Sequence, residues 1–282
     1  MNLHDKLKNL KSSLRQLGSA AVAFSGGVDS TFLLKVAHDV LGEKAVAMTI
    51  KSRVVPAREI EFIQDFCSKQ KIRLQVIEYD EMQVPGFREN PKDRCYHCKK
   101  ALFSRIADSA HNFKLDETRE LPLEHICEGS NADDLNDYRP GMQALRELGI
   151  KSPLRDSGFT KAEIRELSRE LGLPTAEKPS AACLASRMPY GEIITAQKLL
   201  MVEQAEDFLH DLGFKQARIR LHAGTNPDGT PFSARIEIPP TDFTTALAQC
   251  EKITDTLKGI GFTYVSLDLQ GFRSGSMNEA IK

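Results

Sequence analysis

Two stretches of this 282-residue chain, and a cysteine lying apart from both, have side chains of a type and spacing that could do chemistry. The first stretch is Phe24-Ser25-Gly26-Gly27-Val28-Asp29-Ser30, between a short apolar run and a segment of helical patterning. Two glycines let the backbone come close to an anion, and a helix that follows offers free N–H groups and the positive end of its dipole. Ser25 and Ser30 add hydroxyl donors, and Asp29 is placed to hold a magnesium ion that bridges phosphates. No Gly-Lys-Ser/Thr is present, which excludes a Walker A loop. A bare Gly-Gly would read as a tight capped turn, but the full Ser-Gly-Gly-x-Asp-Ser after an apolar strand favours phosphate binding.

The second stretch is Arg94-Cys95-Tyr96-His97-Cys98-Lys99-Lys100, two thiols at metal-ligand spacing among four possible cations. Nearby positive charge favours thiolates, the form that binds metal or attacks carbon. Alone, the pair is open to three readings: half a zinc site, a redox pair, or part of an iron–sulfur site. A structural zinc takes four ligands, and no second Cys-x-x-Cys exists. The third thiol, Cys183, lies in Pro179-Ser180-Ala181-Ala182-Cys183-Leu184-Ala185-Ser186-Arg187. Three thiolates on a 4Fe–4S cluster would leave one iron free to hold an extra sulfide, a sensible way to present sulfur for transfer. Cys67, Cys127 and Cys250 fall on expected core faces and read as packing residues.

The elements that must position these groups follow from hydrophobic periodicity. Leu3, Leu7, Leu10, Leu14 and Leu17 predict a helix over 3–17, ended by Gly18. Strands are expected at Ala20–Phe24, Ala45–Ile50, Arg73–Tyr79 and near His125–Glu128, with helices from about Asp29 to Leu41 and from Pro56 to about Gln70. Such alternation argues for an α/β, doubly wound parallel sheet, whose ligands bind at the carboxyl ends of the strands. The long loops 80–93 and 174–191 read as functional. After Gly191 the pattern changes to helix (Thr195–Leu212), strand (Ala217–His222), strand (Ala234–Ile238), helix (Asp242–Lys258) and strand (Thr263–Leu269). The expected organisation is a domain over 1–190 and a smaller α+β domain over 191–282.

Composition bounds the partners. Lys and Arg number 38 against 39 Asp and Glu, a net charge of -1, which argues against a general nucleic-acid coat or a polybasic membrane binder. No apolar run approaches the roughly 18 residues that cross a bilayer, and Met1–Leu10 lacks the continuous apolar stretch of a secretory signal. A cytoplasmic protein with no membrane and no nucleic-acid partner is expected.

The Ser-Gly-Gly-Val-Asp-Ser loop resembles that of the PP-loop ATP pyrophosphatases, which cleave ATP between the α and β phosphates and adenylate an acceptor oxygen. The likeness implies that Ser25, Gly26, Gly27, Asp29 and Ser30 cradle the pyrophosphate end of ATP. Gly129-Ser130-Asn131-Ala132-Asp133-Asp134 follows the fourth strand as a comparable segment does there, so Gly129 lies at the nucleotide and Asp133 or Asp134 at a second magnesium or a ribose. Asx-rich turn residues at a helix start would look the same.

Further motifs narrow the resemblance. Asp93-Arg94-Cys95-Tyr96-His97-Cys98-Lys99-Lys100, Asn136-Asp137-Tyr138-Arg139-Pro140-Gly141, Cys183-Leu184-Ala185-Ser186-Arg187 and Gly271-Phe272-Arg273-Ser274-Gly275 stand in the order of the LarE family, over essentially the whole chain. That family consists of ATP-dependent sulfur transferases that help build the nickel-pincer nucleotide cofactor of lactate racemase. The resemblance implies adenylation of a carboxylate of a pyridinium mononucleotide, then replacement of AMP by a protein-held sulfur to give a thiocarboxylate. Some members give up a cysteine's own sulfur and work once; others hold an iron–sulfur cluster on three cysteines. With Cys95, Cys98 and Cys183 all present, the cluster route is expected, and Cys183 becomes the donor only if no cluster forms. The resemblance also implies a homo-oligomer and leaves room for a sulfur-delivery partner.

One strand supports a nucleotide substrate from its own spacing. In Arg218-Ile219-Arg220-Leu221-His222 a period of two puts Arg218, Arg220 and His222 on one face, suited to a phosphate, which Arg meets bidentately. A solvated strand face is the plain alternative. Arg273 would complete such a site, while Arg235 and Glu237 share a face and would pair. Competing functions are a PP-loop tRNA thiolase, disfavoured by charge, and a non-catalytic ATP-binding protein with structural zinc.

Overall fold

The computed structural model describes residues 2–115, 120–136, 140–180, 182–226, 230–273 and 275–281. The chain packs as two compact units, Met1–Val84 with Asp93–Ala181, and Pro85–Lys92 with Ala182–Lys282.

The first unit runs α1 (Leu3–Leu17), β1 (Ala20–Ala23), α2 (Val28–Leu41), β2 (Ala45–Lys51), α3 (Ala57–Gln70), β3 (Arg73–Glu78), α4 (Arg94–His111), β4 (Ile126–Cys127), α5 (Pro140–Glu147), α6 (Pro153–Asp156) and α7 (Lys161–Glu170). Its four strands are parallel in the order β3-β2-β1-β4, the doubly wound sheet expected from the sequence. Buried on both faces, β1 is built of small residues. Ala20 and Val22 join the core that α1 and α2 cover with Leu10, Leu14, Phe32 and Leu33, while Ala21 joins the opposite core with Phe103 and Ile106 of α4. Gly18 ends α1 at φ 71, a left-handed conformation that glycine adopts without strain. The loop 80–93 leads into the Cys-x-x-Cys, which forms the first turn of α4.

The second unit runs α8 (Ala196–Asp211), β5 (Arg218–His222), β6 (Ser233–Glu237), α9 (Phe243–Ala248), α10 (Cys250–Ile260) and β7 (Tyr264–Leu267). Its sheet is β5-β6-β7, with β5 antiparallel and β7 parallel to β6. Residues 85–92 belong to it through Asn90, fully buried at φ 52, whose side-chain amide donates to the Pro189 carbonyl at 2.6 Å and whose carbonyl accepts from Gly191 N at 2.9 Å.

The single helix expected over Asp242–Lys258 is broken at Gln249. Beyond the break Ile253 and Leu257 face the core, whereas Cys250, the first residue of the new helix, is exposed. Its expected packing role is therefore wrong. Cys67 and Cys127 are buried as expected, and burial pushes each thiol up to about 12. A thiol with so high a pKa stays protonated and unreactive at pH 8. Iodoacetamide on the folded protein at that pH should label Cys250 and spare Cys67 and Cys127 until denaturant is added; labelling of Cys127 in the native protein would contradict the core described here.

Candidate functional site

In the first unit, the turn from β1 into α2 is made by Gly26, at φ 72, and Gly27, the helix N-cap. Gly27 has no side chain to cap the helix, so the first-turn N–H groups are left for another acceptor. The hydroxyls of Ser25 and Ser30 lie 3.2 Å apart, and Ser30 Oγ is 3.2 Å from the Gly27 carbonyl. A Cβ at Gly26 would come within 3.1 Å of Glu59 and Phe62 of α3, so the loop lies directly on that helix.

The segment after β4 meets the same turn. A Cβ at Gly129 would stand 3.0 Å from Ser30 N and 3.2 Å from Asp29, so any other residue would force the backbone of the α2 N-terminus to give way. Asn131 Nδ2 donates to Asp29 Oδ1 at 3.5 Å, and Lys161 Nζ pairs with Asp29 Oδ2. Asp133 accepts from Lys161 N at 2.8 Å, which gives it a capping role at the start of α7. Asp134 accepts from Asn131 N at 2.9 Å.

Two lysines that sequence reasoning passed over stand at this loop. Lys161 follows a Thr160–Glu163 capping box, a helix-start signature readable in the sequence, but its partner Asp29 is 132 positions away. Lys178 reaches Glu59 Oε2 at 2.6 Å, the Gly26 carbonyl at 3.0 Å and the face of Phe62 at 4.0 Å from the ring centre.

Cys95 and Cys98 sit three residues apart at the start of α4, so they share a helix face, and both are half-buried. The buried Arg94 donates to Cys95 Sγ at 3.9 Å. Two neighbouring side chains are engaged: His97 lies 3.2 Å from Asp93, and Lys100 lies 2.8 Å from Glu147. Hydrogen bonds from Lys100 and Tyr96 hold the Glu147 carboxyl down at about 2. Gly141 lets α5 lie against α4 at Lys99, whose Cδ would be 2.5 Å from a Cβ there. Among the described residues, no group of three or more His, Cys, Asp or Glu side chains is arranged to hold a metal ion. Of the remaining motif residues, Asp137, Tyr138, Arg139, Ala181 and Ser274 lie outside the described residues.

In the second unit, Cys183 is half-buried, just ahead of a short 3-10 turn over Leu184–Arg187. Arg187 is buried and organises this loop. Its Nη1 donates to the carbonyls of Ala182 and Cys183 at 2.7 and 3.0 Å, while Nε and Nη2 donate to the two oxygens of Glu206 at 2.8 Å each. Burial pushes the Glu206 carboxyl up, but the Arg187 guanidinium outweighs it and holds the group below its ordinary value.

The arginine face of β5 is buried, at 7% exposure for Arg218 and 5% for Arg220, which overturns the solvated-face alternative. Arg220 pairs with Glu237 at 2.8 Å and donates to the Ser186 carbonyl at 3.1 Å. Glu237, wholly buried, also takes Arg235 at 3.1 Å, the pairing expected between those two, and Ser276 Oγ at 2.8 Å. Arg218 lies against the Phe272 ring at 5.6 Å. Burial, then the neighbouring Arg187, pulls its guanidinium down to about 10. Arg273 is engaged by Asp268 at 3.1 Å and Glu279 at 2.6 Å.

These features have counterparts in known proteins. Residues 1–111 match the PP-loop domain. The chain is 39% identical over 281 residues to the uncharacterized protein slr1717 of Synechocystis, covering 99% of both chains. It is 34% identical over 280 residues to the pyridinium-3,5-bisthiocarboxylic acid mononucleotide synthase of Lactiplantibacillus plantarum, covering 99% of this chain and 96% of that one. The likeness to one component of the glutamine-hydrolyzing GMP synthase of Thermoplasma volcanium is 26% over 219 residues, 74% of this chain and 69% of the relative. With near-complete coverage of the mononucleotide synthase and a strand–glycine turn–helix of the PP-loop kind, the chain belongs to the LarE family of ATP-dependent sulfur transferases.

Proposed function

We propose that this protein converts a carboxylate of a pyridinium mononucleotide to a thiocarboxylate, at the expense of ATP, in nickel-pincer cofactor synthesis for lactate racemase maturation. The observation that carries the reading is the meeting of the β1–α2 turn with Gly129, Asn131 and Lys161 around Asp29, in a chain alignable end to end with a synthase of such a nucleotide. The reading divides the work between residues 1–190, for ATP, and 191–282, for substrate binding and oligomer contacts. The compact units differ slightly, the second beginning at Ala182 and including 85–92.

Ser25, Gly26, Gly27, Ser30 and Gly129 hold ATP. Asp29 would hold a magnesium ion, which would supply charge neutralisation at the phosphates, and Lys161, now paired with Asp29, is the cation next to them; Asp133 stays a capping residue at the start of α7. A substrate carboxylate oxygen attacks the α-phosphorus, and pyrophosphate leaves. A sulfur nucleophile then attacks the acyl carbon, and AMP leaves with the original carboxylate oxygen.

Cys95, Cys98 and Cys183 manage the sulfur. Three half-buried thiols suit a 4Fe–4S cluster as a donor set, and two of them already share one helical turn. When bound, the cluster would supply a sulfide for transfer. Arg187, through its hydrogen bonds to the carbonyls of Ala182 and Cys183, keeps the backbone at Cys183 fixed whichever sulfur is used.

Arg218 and Arg220, with Arg273 at the outer edge, hold the substrate phosphate. Arg187 and Arg220 crowd Arg218 while Glu206 and Glu237 act the other way, and this gathering of guanidinium groups on one buried strand face supports a phosphate site. The absence of long Lys/Arg runs at a net charge of -1 favours this small substrate over tRNA. No helix among the described residues is long and apolar enough to cross a membrane, and the reading places the protein in the cytoplasm, as a homo-oligomer served by a sulfur-delivery partner.

Losing a charged hydrogen-bond partner costs about tenfold or more in affinity. Arg220→Ala should weaken mononucleotide binding by at least that factor and spare ATP, whereas Asp29→Ala should stop pyrophosphate release; equal loss of both ligands in Arg220→Ala would refute the phosphate assignment. Protein purified without oxygen should contain iron and acid-labile sulfide in near-equal amounts, about four of each per chain. Stoichiometric zinc would contradict the cluster.

A further inference from the structure

The loop before Cys183 contributes a cation to the phosphate turn, and neither the family likeness nor the motif spacing gives it a role. Lys178 is held at its backbone by its N–H on the Thr175 carbonyl at 3.0 Å and its carbonyl on Arg165 Nη2 at 2.9 Å. From that fixed point its ammonium reaches the Gly26 carbonyl at 3.0 Å and Glu59 Oε2 at 2.6 Å, with its side chain 21% exposed. An ammonium has three N–H donors. Two have oxygen acceptors; the ammonium also lies 4.0 Å from the Phe62 ring centre, and the third N–H has no oxygen or nitrogen acceptor among the described residues.

Glu59 would repel a polyphosphate seated on the glycine turn, since the Gly26 backbone lies against it. Lys178 cancels that charge and adds a donor at the turn's edge. We propose that Lys178 is an ATP-contacting residue whose third N–H binds the pyrophosphate end of the nucleotide while the other two stay on Gly26 and Glu59. This rests on the ATP reading of the loop given above.

The test is calorimetric titration of the full chain with magnesium and, separately, ATP, AMP and pyrophosphate. Lys178→Met should lose at least tenfold in affinity for ATP and pyrophosphate and keep its affinity for AMP. Glu59→Gln, which removes a like charge from the turn, should bind pyrophosphate more tightly than the wild type. If Lys178 only braces the turn, AMP binding falls in parallel and Glu59→Gln weakens pyrophosphate binding as well; either result overturns the proposal. Should Lys178→Met fail to fold, the Glu59→Gln result alone decides. A wild-type protein that binds neither ATP nor pyrophosphate would overturn the reading of the loop itself, before Lys178 is in question.

Discussion

The close approach of Gly129 to the first turn of α2 is the constraint on which the ATP half of the molecule depends. A Cβ there would stand 3.0 Å from Ser30 N and push on the backbone of the helix start. Because β4 lies beside β1 in the sheet, a glycine just past β4 lets the following loop fold over the helix N-terminus and bring Asn131 to Asp29. The same loop caps α7 through Asp133, and α7 in turn carries Lys161 to Asp29. One missing Cβ thus connects two loops, a helix cap and an ion pair. The small side chains of β1 serve the same end, since they let helices on both faces close on the strand that ends in the phosphate turn.

The second unit solves a different problem, that of keeping arginines on a buried strand face. Burying a charge is costly unless it is paired and hydrogen-bonded. Arg187 meets both conditions with Glu206 and the Cys183 loop, and Arg220 does so with Glu237 and Ser186. Glu237 is shared with Arg235 and Ser276, so the carboxylate is fully used. Arg218, on the same buried face, donates from Nη1 to the Ala217 carbonyl at 2.8 Å, and burial, then the neighbouring Arg187, lowers its pKa.

Much of this was legible in the sequence. Leucine spacing gave α1, and apolar runs between glycine turns gave the sheet. The helix that carries the cysteine pair has no such mark, because the first two turns of α4 are Arg, Cys, Tyr, His and Lys, with no apolar stripe before Leu102 and Phe103. The period of β5 placed its arginines on one face correctly, but whether that face meets water or carboxylates depends on α8 and β6, which local pattern does not reveal. Lys161 and Lys178 were invisible for the same reason: their partners are more than a hundred residues away. Cys250 was misjudged because the helix breaks at Gln249 with neither glycine nor proline there to mark it.

The most direct test of the account is to follow oxygen. The pyridinium mononucleotide, with its carboxylates labelled in heavy oxygen, is mixed with the protein and magnesium ATP, and the nucleotide products are weighed by mass spectrometry. Adenylation of the carboxylate predicts AMP carrying one labelled oxygen, with sulfur in its place on the acceptor. Unlabelled AMP, or ADP and phosphate in its stead, would contradict it.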